Sequence, residues 1–182
     1  MIVREILQAL YGAFLLMRFD IAGRDYFNYT VTGFWRSFSA AILALPVFLG
    51  IIYLHTWTSS GSTSIGIQQS IVRYATGWLV YPLVALVLVR ILGRMANYAA
   101  YIITNNWFGV SQWVLVGLVT VVGQAWGPDI SNLVSICLLA LLVYYDFFIA
   151  RVVLDLTAGR AALVVFIGVL AGMVLDVLIL DN

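Results

Sequence analysis

Five runs of roughly twenty mostly apolar residues, at 38–57, 74–92, 107–126, 131–149 and 161–180, alternate with short polar stretches along the chain. Each run has the length of a helix that crosses a hydrocarbon core of about 30 Å. The pattern predicts an all-α, polytopic membrane bundle of five transmembrane helices. Pro46 lies inside the first run and Pro82 near the start of the second. Helices in lipid tolerate such prolines with a local kink. Trp107 and Trp126 bracket the third run, as interfacial anchors do. Gly127-Pro128-Asp129 reads as a tight turn, so the third and fourth spans are expected to form an antiparallel hairpin. The Ser-, Thr- and Gly-rich stretch 58–70 reads as an exposed loop.

Residues 1–37 follow another pattern. Ile6, Leu7, Leu10, Phe14 and Met17 recur at helical spacing, but the apolar core is only about a dozen residues, too short to span. Aromatic residues then interleave with Arg18, Asp20, Arg24, Asp25 and Arg36. This mixture suits an N-terminal amphipathic segment lying at the headgroups, with a short re-entrant hairpin as the alternative. No small-residue cleavage site follows the apolar stretch, so it does not read as a secretion signal. The chain thus divides into an interfacial segment, 1–37, and a transmembrane domain, 38–182.

Composition sharpens this picture. The 182 residues are 64% hydrophobic and 9% charged, with a mean hydropathy of +1.06. Soluble domains are about half apolar and about a quarter charged. All nine basic residues are arginines. With the N-terminus in the cytoplasm, Arg4, Arg18, Arg24, Arg36, Arg90, Arg94, Arg151 and Arg160 are all cytoplasmic and only Arg73 lies across the membrane. The positive-inside rule selects that orientation, with the C-terminus on the periplasmic side. No basic run points to nucleic acid. Cys137, the one cysteine, excludes an intrachain disulfide and reads as a buried packing residue. His55 reads as a hydrogen-bonded residue at a span end, and with no further His or Cys cluster neither a metal site nor another cofactor is expected.

The few charges near the spans are the chemical candidates. The elbow Tyr144–Arg160 carries Asp146, Arg151, Asp155 and Arg160. A carboxylate at the depth of Asp146 is costly unless paired or hydrated. An ion pair with Arg90, Arg94 or Arg151 is the first reading, and proton or substrate handling is the second. Asp155 stands four residues after Arg151, the spacing of a helical ion pair. Asp176 shares a face with Gly168 and Gly172, and Arg73 is its candidate partner across the outer half of the bundle. Arg90, Arg94, Asn97 and Tyr101 fall on one face of a helix expected to continue past the membrane edge to Asn105-Asn106. Arg94, Asn97 and Tyr101 there form a candidate surface for a protein partner. Gly-x-Ser-x-Gly is absent, and no lysine exists to complete a phosphate loop.

Asp146-Phe147-Phe148-Ile149-Ala150-Arg151 resembles the Asp-Gly-x-x-Ala-Arg core of membrane CDP-alcohol phosphotransferases. Phe147 stands in place of the Gly, however, and the carboxylates that would ligate a divalent cation are not at their places. The arrangement of the Asp129 turn, a span, the Ala150-Arg151 elbow and a last span resembles the Yip (Ypt-interacting protein) family, a resemblance covering about residues 36–182. It implies a cytoplasmic N-terminal segment and five packed spans. The Asp-Leu-Tyr-Gly-Pro-type signature of eukaryotic members is absent, with only Leu10-Tyr11-Gly12 similar to it. Gly33–Phe38, leading into a Pro-containing span, is similar to small inner-membrane proteins of alphaproteobacteria. The leading expectation is a non-enzymatic inner-membrane protein: a membrane-organising or adaptor protein, or an accessory subunit, contacting lipid and either a protein partner or a second copy. The alternative is a small oligomeric transporter or channel that uses an intramembrane aspartate, Asp146 or Asp176. An enzyme ranks third.

Overall fold

The computed structural model describes residues 2–58 and 66–180. They form seven α-helices: α1 (Ile2–Met17), α2 (Val31–Ser37), α3 (Ser39–Thr58), α4 (Ile67–Ile91), α5 (Tyr98–Gly123), α6 (Pro128–Val153) and α7 (Ala158–Leu180). Short 3-10 turns lie at Ile21–Tyr26 and Met95–Asn97, and no strand occurs among the described residues. Five stretches are long and apolar enough to cross a membrane: Val31–Trp57, Ile67–Ile91, Met95–Gly123, Pro128–Val153 and Ala158–Ile179. Of the loop expected at 58–70, residues 59–65 lie outside the described residues, and 67–70 are not loop but the first turn of α4.

Several boundaries differ from the hydropathy reading, the second span starting at Ile67 and the fourth ending at Val153, and two of the differences have a plain local cause. The first stretch begins at Val31, because Thr30 Oγ1 accepts the Gly33 amide at 3.1 Å and opens α2, which runs through a helical Phe38 into α3. The second difference is larger. α4 does not continue to Asn105-Asn106; it ends at Ile91, where Gly93 takes a left-handed φ of 68°. The Gly93 and Arg94 amides turn back onto Arg90 O at 3.1 Å and Val89 O at 2.9 Å, a glycine-terminated helix end. α5 therefore starts at Tyr98, and Asn105-Asn106 lies within it.

α5 is the central post. It contacts α1, α2, α3, α4 and α6, and its segment from Tyr101 to Phe108 is buried almost all round. α6 follows it as the expected hairpin, with Pro128 opening the helix and Ser131 Oγ donating to Gly123 O at 2.8 Å. The outer faces are the reverse. Ile42, Leu79, Leu133, Ile136, Leu139 and Phe166 are each more than half exposed. So much bare aliphatic surface is stable against lipid and not against water. Cys137 lies on that outward surface beside Ile136, exposed rather than buried as its apolar neighbours had suggested. An all-apolar run does not reveal which of its sides faces the bundle.

The N-terminal segment is a layer packed on the bundle. α1 lies on α5 and buries Ala9, Ala13 and Leu16, while Val3, Leu7, Tyr11 and Phe14 form an outward apolar stripe. Glycines let its pieces close. A Cβ on Gly12 would stand 2.7 Å from the Gly23 carbonyl oxygen, and one on Gly33 would stand 2.0 Å from the Asn28 carbonyl oxygen. Glu5 accepts from Asn28 Nδ2 at 2.8 Å and from Arg36 Nη1 at 2.7 Å, tying α1 to α2. Phe19, with a left-handed φ of 60°, sets its ring 5.1 Å from Tyr145 and 5.3 Å from Phe148 on α6. Tyr145 returns a hydrogen bond to Met17 O at 2.9 Å.

Burial by itself raises the Glu5 carboxyl, but the hydrogen bonds from Asn28 and Arg36 and the Arg36 charge outweigh it and hold it below its ordinary value of 4.5. A depressed folded value adds stability above the unfolded value and loses it as pH falls through the folded one. The difference in melting temperature between the native chain and Glu5→Gln is therefore expected to be full above pH about 4.5 and to shrink on further acidification. A difference that does not change with pH would remove the carboxylate from this account. Gly33→Ala is expected to cost about 1–3 kcal/mol by overpacking. Gly50→Ala, in the interior of α3 where an added Cβ meets nothing within 4 Å, serves as the uncrowded control in the same thermal unfolding series and is expected to be unchanged or stabilised by up to about 1 kcal/mol.

Candidate functional site

The polar residues of α5 recur on one side of the helix. Asn105, Gly109 and Gln112 follow at steps of four and three, and Trp113 adjoins them. They face a cavity of about 750 Å³ bounded by α3, α4 and α5 and reached from α6 by Asp146. Along α4 the lining runs from Ser70 to Pro82, twelve residue steps or ~18 Å of helix. His55, Thr56, Ser70 and Arg73 stand at its outer end, where α3 finishes and α4 begins.

The walls are aromatic. Phe48 stacks on Tyr74 with centroids 4.3 Å apart, and Trp113 packs against both at 5.4 and 5.5 Å. Trp78 stands 6.1 Å from Tyr74 and fills the space left by Gly109, where a Cβ would meet its ring at 3.2 Å. The Tyr74 hydroxyl donates to Ala41 O, next to the Ile42 carbonyl that Pro46 leaves without its helical donor. Hydrogen bonds close the inner end. Asn106 Nδ2 donates to Ser37 Oγ at 2.9 Å, and the Tyr81 and Tyr101 hydroxyls bond to each other. Tyr98 donates to Pro82 O at 3.0 Å.

Asp146 is the charge on this inner wall. Its Oδ1 accepts from Gln112 Nε2 at 2.8 Å. The expected ion pair with Arg90, Arg94 or Arg151 is not formed. The ion pairs among the described residues are Arg36–Glu5, Arg73–Asp176 and Arg94–Asp155, and all nine arginines are described. Arg90 and Arg151 are exposed on the outside of the bundle, whereas Asp146 faces inward toward α5. A carboxylate offers about four acceptor positions, so one amide leaves most of its capacity directed at the cavity.

The remaining candidates separate. Asp155 has a left-handed φ of 52° past the end of α6, so the helical pair with Arg151 is replaced by one with Arg94 at 3.4 Å. Arg94 and Asn97 sit at the α4–α5 turn, but Tyr101 is wholly buried, so the three do not make one surface. Arg73 Nη2 lies 2.6 Å from Asp176 Oδ2, joining α4 to α7. Gly168 admits the Tyr81 ring, which a Cβ there would meet at 3.3 Å, and Gly172 lines a small cleft of about 210 Å³ beside the Arg73–Asp176 pair. Among the described residues no group of three or more His, Cys, Asp and Glu converges as metal ligands do.

Phe48, Tyr74, Trp78, Tyr81 and Gln112 were not among the residues singled out from sequence. Gln112 could have been: it is a primary amide inside an apolar run, in phase with Asn105. The aromatics carried no such mark, because stacking partners come from three different helices. No protein family, curated protein or solved structure matches this chain.

The Arg73–Asp176 pair generates a direct test. Arg73→Asp and Asp176→Arg are each expected to lower the melting temperature of the detergent-solubilised protein, and the double reversal to recover part of the loss. The pair is partly exposed, so the coupling is expected to be about 0.5–1 kcal/mol. A double variant less stable than both singles would mean the two charges do not stabilise each other.

Proposed function

We propose that this integral membrane protein takes a small organic solute into the cavity between α3, α4 and α5, as a binding or transport protein of the bilayer. The observation that carries this reading is a lined space of about 750 Å³ with a carboxylate on its inner wall that pairs with no arginine among the described residues. A volume of this size lies within the range of small-molecule sites. Ionisable groups kept at such depth against their desolvation cost are characteristic of substrate and ion pathways. Of the two roles expected from sequence, this favours a solute-handling protein over an adaptor, since the intended partner surface loses Tyr101 to the interior. We place the arginine-bearing ends of α2, α4, α6 and α7 at the cytoplasmic face. The outer end of the cavity, at His55 and Arg73, then faces the opposite compartment.

Gly77 tests this reading. It lines both the cavity and the small cleft beside Arg73–Asp176, and a Cβ added there meets nothing within 4 Å, so Asn105→Cys, which lines the cavity alone, is labelled in parallel and decides between the two spaces. In the Cys137→Ser background, Gly77→Cys is the sole thiol. A membrane-impermeant maleimide added to intact cells is expected to label it. Labelling only from the cytoplasmic side of inverted vesicles would reverse the orientation. No labelling from either side, in a variant that unfolds like the parent, would mean that water does not reach the cavity, and the reading would fall.

A further inference from the structure

We infer that the cavity selects a cationic amphiphile, an organic ammonium or phosphonium with apolar substituents. This rests on the solute-binding reading above and adds the chemical class. The first ground is charge. The ionisable side chains that line the cavity, tyrosines aside, are Asp146, Arg73 and His55; Arg73 is already matched, 2.6 Å from Asp176, and both it and His55 stand at the outer end, away from Asp146. The field at the inner end is therefore set by Asp146, whose hydrogen-bond donor among the described residues, Gln112, is neutral. A low-dielectric pocket amplifies that single negative charge and rejects anions.

The second ground is the wall. Trp78 and Trp113, partly open, are backed by the buried Phe48–Tyr74 stack, and neighbouring centroids in this aromatic wall lie between 4.3 and 6.1 Å apart. Aromatic faces attract cations through their quadrupole, and cages of this kind recognise quaternary ammonium groups. They also accept the apolar substituents of such a ligand. The third ground is the scarcity of other chemistry. Besides Asp146, the inner half offers the carboxamides of Asn105 and Gln112 and the Tyr81 hydroxyl. Asn106 and Tyr81 are engaged in closing the inner end. A sugar or a zwitterion would need several more free polar groups, and a bare metal ion would need more oxygen ligands. A soft cation needs one counter-charge and an aromatic surround, which is what α3, α4, α5 and α6 bring together.

The full chain, purified in detergent, is incubated with radiolabelled tetraphenylphosphonium, and retention is measured over that of empty micelles. Saturable binding is expected, displaced by benzyltrimethylammonium but not by the neutral triphenylphosphine oxide or the anion benzenesulfonate. Asp146→Asn, which keeps the size of the side chain, is expected to weaken binding at least about tenfold, and Asp146→Glu to restore part of it. Trp113→Leu is expected to weaken it about tenfold, and Trp113→Phe much less. Each variant is compared at equal melting temperature and elution volume, so loss of fold is not mistaken for loss of a site. Displacement by the neutral or anionic compound as good as that by the cation, or undiminished binding by Asp146→Asn, overturns the cationic class. If neither cation binds while Asn105→Cys is still labelled, the class falls and the cavity reading stands. If labelling fails as well, both fall.

Discussion

In hydrocarbon, an amide or hydroxyl without a partner costs several kcal/mol. α5 carries Tyr101, Thr104, Asn106 and Gln112 within one apolar span. It therefore has to be surrounded, and the rest of the architecture follows from that need. Ser37 at the end of α2 serves Asn106, Tyr81 of α4 serves Tyr101, Tyr29 meets Thr104 at 3.3 Å, and Asp146 of α6 meets Gln112. Helices in lipid gain little from burying aliphatic groups against each other, because the tails are equally apolar. Polar matching and close approach at glycine decide the arrangement instead.

The same requirement explains why the N-terminal segment is packed on the bundle. α1 is too short to cross the bilayer, yet it covers α5 with Ala9, Ala13 and Leu16 and turns Val3, Leu7, Tyr11 and Phe14 outward. A helix with small residues on one side and large apolar ones on the other suits a position between protein and lipid. Glu5, the one acid in it, is matched by Asn28 and Arg36. The layer thereby fixes α2, and with it the Ser37 hydroxyl that closes the inner end of the cavity.

The five spans were legible because transfer of apolar runs into lipid is a property of local composition. The turn at Gly93 was not. Arg90, Arg94, Asn97 and Tyr101 fit a helical face, and periodicity alone cannot tell a continuous helix from two helices meeting at one left-handed glycine. The position of Asp146 was readable as a costly charge, but its partner was not. An ion pair and a carboxamide look equally plausible until the rotation of α6 about its axis is known, and that rotation is set by tertiary packing. The lipid-facing Cys137 was misjudged for the same reason, since a uniformly apolar helix does not announce its inner side. The aromatic wall is the least legible part. Phe48, Tyr74 and Trp113 belong to three helices and become one surface only when those helices are assembled.

The two inward contacts of the acidic groups differ in how far apart their partners lie along the chain. Gln112 and Asp146 are separated by 34 positions and stand on consecutive helices joined by the Gly127–Pro128 turn. Arg73 and Asp176 are separated by 103 positions and stand on the second and last spans. Biogenesis inherits that difference. Were the helices to enter the bilayer in chain order, the Asp146 carboxylate would have its amide once the α5–α6 hairpin is in place. The Arg73–Asp176 pair would have to wait for α7, the last helix of the bundle.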